Sequence, residues 1–154
     1  MGNWVIVAVT IVLTALAAWA YATAQRLHRL HIRTDAALVR LQAALELRSA
    51  VAATLAPELD HVAVAAEAQL LECGHFAERA EAERALHAAL AQRFPERPPQ
   101  LVEADARVKL AFRFYNEAVA DTRALRLRPA VRILRLGGTA GLPEFFELSE
   151  PATH

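Results

Sequence analysis

The run WVIVAVTIVLTALAAWAYAT, from Trp4 to Thr23, contains no charged residue. About 20 predominantly apolar residues are what a helix needs to cross ~30 Å of hydrocarbon. Val5, Ile6, Leu13 and Leu16 supply apolar bulk. Trp4 opens the run, and Trp19 and Tyr21 stand toward its far end, where amphipathic rings favour the headgroup level. Nothing later in the chain approaches this hydrophobicity, so the sequence predicts one membrane-spanning helix at 4–23 behind a short N-terminus at 1–3. A cleaved secretory signal is the competing reading, because Ala22-Thr23-Ala24 before Gln25 fits a small-residue cleavage site. Two features oppose it. Met1, Gly2 and Asn3 supply no Lys or Arg, and the run exceeds the ~7–15 apolar residues of a signal core. Gly2 does not mark a lipid anchor, since Ile6 stands where a Ser or Thr is required.

The flanks set the expected orientation. Arg26, Arg29, Arg33 and Arg40 follow the span, and Lys and Arg are retained on the cytoplasmic side. The rest of the chain is therefore expected on the cytoplasmic face of the cell membrane. A lone Cys73 forms no intramolecular disulfide and is compatible with a reducing compartment.

Composition bounds the class. The chain of 154 residues has 17 Lys or Arg against 17 Asp or Glu, a formal net charge of zero. That balance argues against nucleic acid as a partner, which calls for a basic face or stripe. Ala and Leu dominate and Gly is rare, so the expected fold is all-α.

Proline and glycine divide the part beyond the span into a helical bundle at 24–128 and a C-terminal amphipathic segment and tail at 129–154. The first helix is expected to continue from Ala24 to Ala56, ending before Pro57, because a residue preceding proline is disfavoured in the helical region. Its stripe reads Leu27, Leu30, Thr34, Ala37, Leu41, Ala44, Arg48, Val51, Leu55. Arg48 interrupts it, with a stem that packs and a head expected to reach water. A second helical region spans Glu58 to Phe94, kinked or divided at Gly74. A third spans Gln100 to Arg128, with Leu101, Ala104, Val108, Ala111, Tyr115, Ala118, Thr122 and Leu125 on one face. At ~1.5 Å per residue these segments are roughly 50, 55 and 43 Å long. Similar lengths and short connections predict an antiparallel bundle of three long helices, or four if the Gly74 region turns. The apolar residues of Leu142 to Leu148 are expected to cap one end of it.

The residues that carry chemistry are few. Tyr115 and Asn116 lie in mid-helix, and the Tyr115 hydroxyl on a core stripe needs a buried partner or a route to solvent. They read as a polar clamp that fixes bundle register, or as a ligand or partner contact. Arg126, Arg128, Arg132 and Arg135 alternate with Leu127, Val131, Ile133, Leu134 and Leu136. That pattern suits anionic lipid headgroups or an acidic partner, and equally a helix C-terminus whose cations complement its dipole. His28, His31 and Asp35 share a face, as zinc ligands would. No further ligand recurs nearby, and histidines at a membrane interface are the simpler account. Cys73-Gly74-His75 lacks an orienting group for nucleophilic work. Gly137 to Gly141 lacks the lysine and hydroxyl residue of a phosphate loop. No metal, cofactor or catalytic residue is therefore expected.

Leu101 to Val119 read LVEADARVKLAFRFYNEAV, with Arg113-Phe114-Tyr115-Asn116-Glu117-Ala118-Val119 at their core. Through this run the C-terminal third resembles the LemA family of bacterial membrane-anchored helical proteins. Leu142 to Leu148 and Ala77 to Leu90 are similar too, as is the layout of a span followed by a long helix. Two regions depart from the family: Asp35 to Ala56, and the connection Phe94-Pro95-Glu96-Arg97-Pro98-Pro99. The resemblance implies an anchored helical bundle with no established enzymatic activity, and it directs attention to Arg113, Tyr115, Asn116 and Glu117. The expected function is a non-enzymatic interaction or scaffolding protein at the membrane, with a protein partner or self-association. An anionic-lipid- or small-ligand-binding module is the alternative.

Overall fold

A computed structural model describes residues 2–69, 71–72, 74–134 and 141–147, and among them no strand occurs. The fold is all-α. Helix α1 runs unbroken over Gly2–Leu55, 54 residues, or about 80 Å at the α-helical rise. No Pro and only the initial Gly2 interrupt its run of Ala, Leu, Val and Arg. It stops where expected: Ala56, before Pro57, leaves the helical region at φ −140°, and a 3₁₀ turn at Pro57–Leu59 leads into α2 at Asp60–Glu67.

The second region is two helices, not one kinked rod. After α2 the chain turns, and Gly74 takes φ +92°, a left-handed backbone that glycine adopts without steric cost. Helix α3 then covers Phe76–Arg93. Helix α4 covers Pro99–Arg126 and begins on a proline, whose missing N–H costs nothing in the first turn. Pro129 likewise starts the short α5, Pro129–Ile133.

The two halves of α1 differ in surroundings. Its apolar N-terminal window is wholly uncovered by protein. Its C-terminal half buries Leu27, Thr34, Ala37, Leu41, Leu45, Arg48 and Ala52. Along that half α4 runs antiparallel: Leu27 clusters with Leu125, Thr34 meets Thr122 at 3.0 Å, and Arg48 reaches Asp105 at 3.7 Å. Small side chains (Thr34, Ala37, Ala118, Thr122) let the backbones close in, near enough for the Thr34 hydroxyl to donate to the Ala118 carbonyl at 3.4 Å. Helices α2 and α3 complete the packing. Ala63 and Ala66 from α2 join Ala52, Leu86, Leu90 and Leu101 in one apolar layer. Phe76 and Ala80 from α3 join Leu41, Leu45, Val108, Tyr115 and Phe146 in another.

Between those layers lies a layer of charge. Arg48, expected to reach water, is 4% exposed and Glu83 is fully buried. The two form an ion pair, and the Arg79 Nε donates to the same carboxylate at 2.9 Å. Arg79 also donates to the Gln69 carbonyl at 2.8 Å, so it ties the turn after α2 to α3. Arg48 therefore does not snorkel, because α3 delivers a carboxylate to its head. Asp105 continues the layer by pairing with Arg97. At the rim, Arg93 donates to Glu58 at 2.5 Å. That bond holds the Glu58 carboxyl below its usual range. The stabilisation it lends is present above the unfolded-state value and fades as pH falls through the lowered one.

Candidate functional site

The segment at 141–147 does not cap an end of the helices. It lies along α4 as an extended strap, held mostly through its backbone. The Tyr115 hydroxyl donates to the Glu144 carbonyl at 2.8 Å. The Asn116 amide makes two bonds with Phe146, donating to its carbonyl at 3.0 Å and accepting from its N–H at 3.1 Å. Arg123 donates to the Pro143 carbonyl at 3.0 Å and Arg126 to the Gly141 carbonyl at 2.5 Å. Glu144 in turn accepts from the Gly74 N–H at 3.1 Å. Tyr115 and Asn116 are thus a polar clamp, but on the strap and not on a neighbouring helix. Their side chains replace the strand neighbour that an isolated extended segment lacks.

Arg113 and Glu117, the other two polar residues of that run, pair with each other at 2.8 Å on the surface. The bond raises the Arg113 guanidinium above its already high ordinary value. Such i,i+4 pairs stabilise a helix by ~0.2–0.5 kcal/mol and imply no ligand.

The other arginine cluster gathers where α4 ends. Val131 of α5 is 2% exposed and packs with Leu27, Leu125 and Leu30. Leu27 comes four residues after Thr23 closes the uncharged run. Helix α5 therefore sits beside the point where α1 changes from uncovered apolar surface to packed helix. Around it Ile133 is 79% exposed and Leu127 51%, with Arg128, Arg132 and Leu134 also exposed. Arg126 is engaged by the strap. Arg135, Cys73 and 137–140 lie outside the described residues.

Among the described residues no group of three or more His, Cys, Asp or Glu is placed to hold a metal ion. His31 is half-buried, with its Nε2 lacking a hydrogen-bond partner, while His28 and Asp35 are exposed. The buried Arg48 and Arg79 both pair with Glu83 in the interior, and the Arg48 Nε is left without a hydrogen-bond partner. A shallow open groove lined by Ala50, Val51, Thr54, Leu55 and Gln100 holds no acid, base or thiol.

Sequence reasoning missed the charged layer. Its signal was present: Glu83 stands on the same face as Leu86 and Leu90, one and two turns before them, as Arg48 stands on the stripe of α1. Two opposite charges at interior positions of different helices are a pair in waiting, but spacing within one helix does not reveal the partner on another.

The fold and its surfaces define an all-α protein with one N-terminal helix long and apolar enough to cross a membrane. No protein-family model, curated protein or solved structure matches the chain.

Proposed function

We propose that this protein is a single-pass, membrane-anchored helical module that works by holding or recruiting other molecules at the cytoplasmic face, without catalysis of its own. One observation carries the reading. A single helix is bare and apolar over its first third and then becomes the spine against which the other helices pack. A rigid continuation of that kind would hold the packed helices close to a bilayer that the first third spans, which supports the reading. The resemblance of Arg113 to Val119 to the LemA run supports the same layout.

The anchor is tested by alkaline carbonate extraction of membranes from expressing cells. The full chain is expected in the pellet, with Met1 to Gln25 retained. Leu13→Arg puts a guanidinium at mid-span, at about 2.5–3.5 kcal/mol against insertion, and should move most of the protein out of the pellet. Mature protein that begins near Gln25 in the soluble fraction refutes the reading. The recruiting role is tested by co-purification in mild detergent. Recovery of neither a specific partner nor a second copy counts against it.

The position of α5 favours a second reading, contact with anionic lipid headgroups. Leu127, Ile133 and Leu134 would enter the interface while Arg128 and Arg132 meet phosphates. Each cation near such a surface is worth about 1 kcal/mol. Neutralising both, in Arg128→Gln with Arg132→Gln, should therefore weaken docking about thirtyfold. The readout is an environment-sensitive dye on Ile133→Cys (with Cys73→Ser) in the full chain reconstituted with anionic vesicles. Unchanged dye emission in the double variant removes the lipid contact.

A further inference from the structure

Helix α1 carries a second apolar face that none of the described helices covers. Ile32, Ala36, Val39, Ala43, Leu47 and Ala50 follow one another at steps of three and four, and all are exposed. Val39 is 65% exposed and Ile32 54%. The row lies opposite the buried stripe of Thr34, Leu41, Arg48 and Ala52, which faces α3 and α4. Alternating steps of three and four make a continuous ridge on a helix, and its shift from a strict heptad at Leu47 is the drift of a straight helix. Lipid is a poor cover for it. Ile32 is nine residues past Thr23, so at the helical rise the row spans from about 13 to 40 Å beyond the uncharged run.

We infer that this face pairs with the same face of a second copy, as a parallel two-helix seam along the exposed side of α1. Two observations select that occupant. A common membrane fixes both copies in one orientation, so their seams run parallel and in register. The ridge is also edged by opposite charges: Arg33 and Arg40 follow Ile32 and Val39 on one side, and Asp35 precedes Ala36 on the other. In a parallel pair, edge positions five residues apart on the two chains meet across the seam. Asp35 then falls beside Arg40 of the second copy, and Arg40 beside Asp35, which closes the contact on two-fold symmetry. An antiparallel pairing forfeits that match. Apart from Leu47, the ridge residues are small or β-branched, as close approach of two helices requires. The inference rests on the anchored reading, which supplies the parallel arrangement.

Disulfide trapping in native membranes tests it, with the full chain carrying Cys73→Ser and one new cysteine at a time. Ala36→Cys and Ala43→Cys should each trap a dimer at least ~tenfold more than Ala88→Cys on the exposed face of α3, because like residues meet only in a parallel, in-register seam. Asp35→Arg and Arg40→Asp should each reduce the Ala43→Cys product, and their combination should restore it. Trapping at Ala36 and Ala43 no better than at Ala88 overturns the inference, as does loss in the single charge variants with no recovery in the pair. Carbonate extraction of the same membranes reports separately on the anchor. Failed trapping with the chain retained in the pellet removes the second copy alone, whereas failed trapping with a soluble chain removes both.

Discussion

Glu83→Ala should abolish stable packing of α2 and α3 on α1. The substitution removes the one carboxylate that meets both Arg48 and Arg79, and it leaves two buried guanidiniums facing each other. Deleting one partner of a buried pair costs about 3–5 kcal/mol, because the remaining charge has lost both water and counter-charge. Here one change takes the carboxylate from two cations, and Arg48 keeps only its longer contact to Asp105 at 3.7 Å, so the upper end of that range applies. Small domains hold only about 5–15 kcal/mol in all. Amide exchange across Phe76–Arg93 is the direct measure: protection should fall to that of a frayed helix, while the N-terminal half of α1 keeps its own. Glu103→Ala provides the contrast. It breaks an exposed pair with Arg107 at 2.6 Å, and exposed pairs are worth about 0–1 kcal/mol. Equal losses in the two variants would mean that the charged layer is no more than surface decoration carried inward.

That layer also marks the boundary of what the sequence discloses. The uncharged opening run, the stop at Pro57 and the buried faces of α1 and α4 follow from periodicity and proline alone. Those are local properties, and local physics decides them. The identity of Leu27, Leu41, Val108 and Tyr115 as interior residues was legible for the same reason. Partners are different. Arg48 appeared as an interruption of a stripe, and only the turn at Gly74, which swings α3 back alongside α1, converts it into half of an ion pair. Tyr115 was legible as an interior polar group in need of a partner, but its partner is the backbone carbonyl of Glu144, 29 residues away. A stretch such as Leu142 to Glu147 carries no periodicity that would announce an extended strap. Its apolar residues showed that it packs somewhere, and the side of α4 on which it packs is a tertiary fact.

Phe146→Ala should release that strap from α4. The Phe146 ring is fully buried and stands edge-on to Phe76, with centroids 5.4 Å apart, and to Phe112 at 6.2 Å. Truncating a buried phenylalanine costs about 3–5 kcal/mol, and a seven-residue strap has little else of comparable size. Its remaining hold is a set of hydrogen bonds, each worth ~0.5–1.5 kcal/mol net. Proteolysis after Phe145 and exchange at the Phe146 amide should therefore both rise steeply. Asn116→Ala acts on the same event by another route. It leaves the Phe146 N–H and carbonyl unmade in a half-buried site, at about 1–3 kcal/mol. The decisive comparison is the double variant. If Asn116 works by holding the strap, then once Phe146→Ala has freed it, adding Asn116→Ala should cost less than about 0.5 kcal/mol more, because coupled sites do not add. Fully additive costs would show that the Asn116 amide serves α4 by some contact other than the strap. Tyr115→Phe extends the series, since it deletes the hydroxyl bond to Glu144 and leaves the ring against Phe76, 6.0 Å away. Its effect on strap release should be the smallest of the three, and it too should vanish in the Phe146→Ala background.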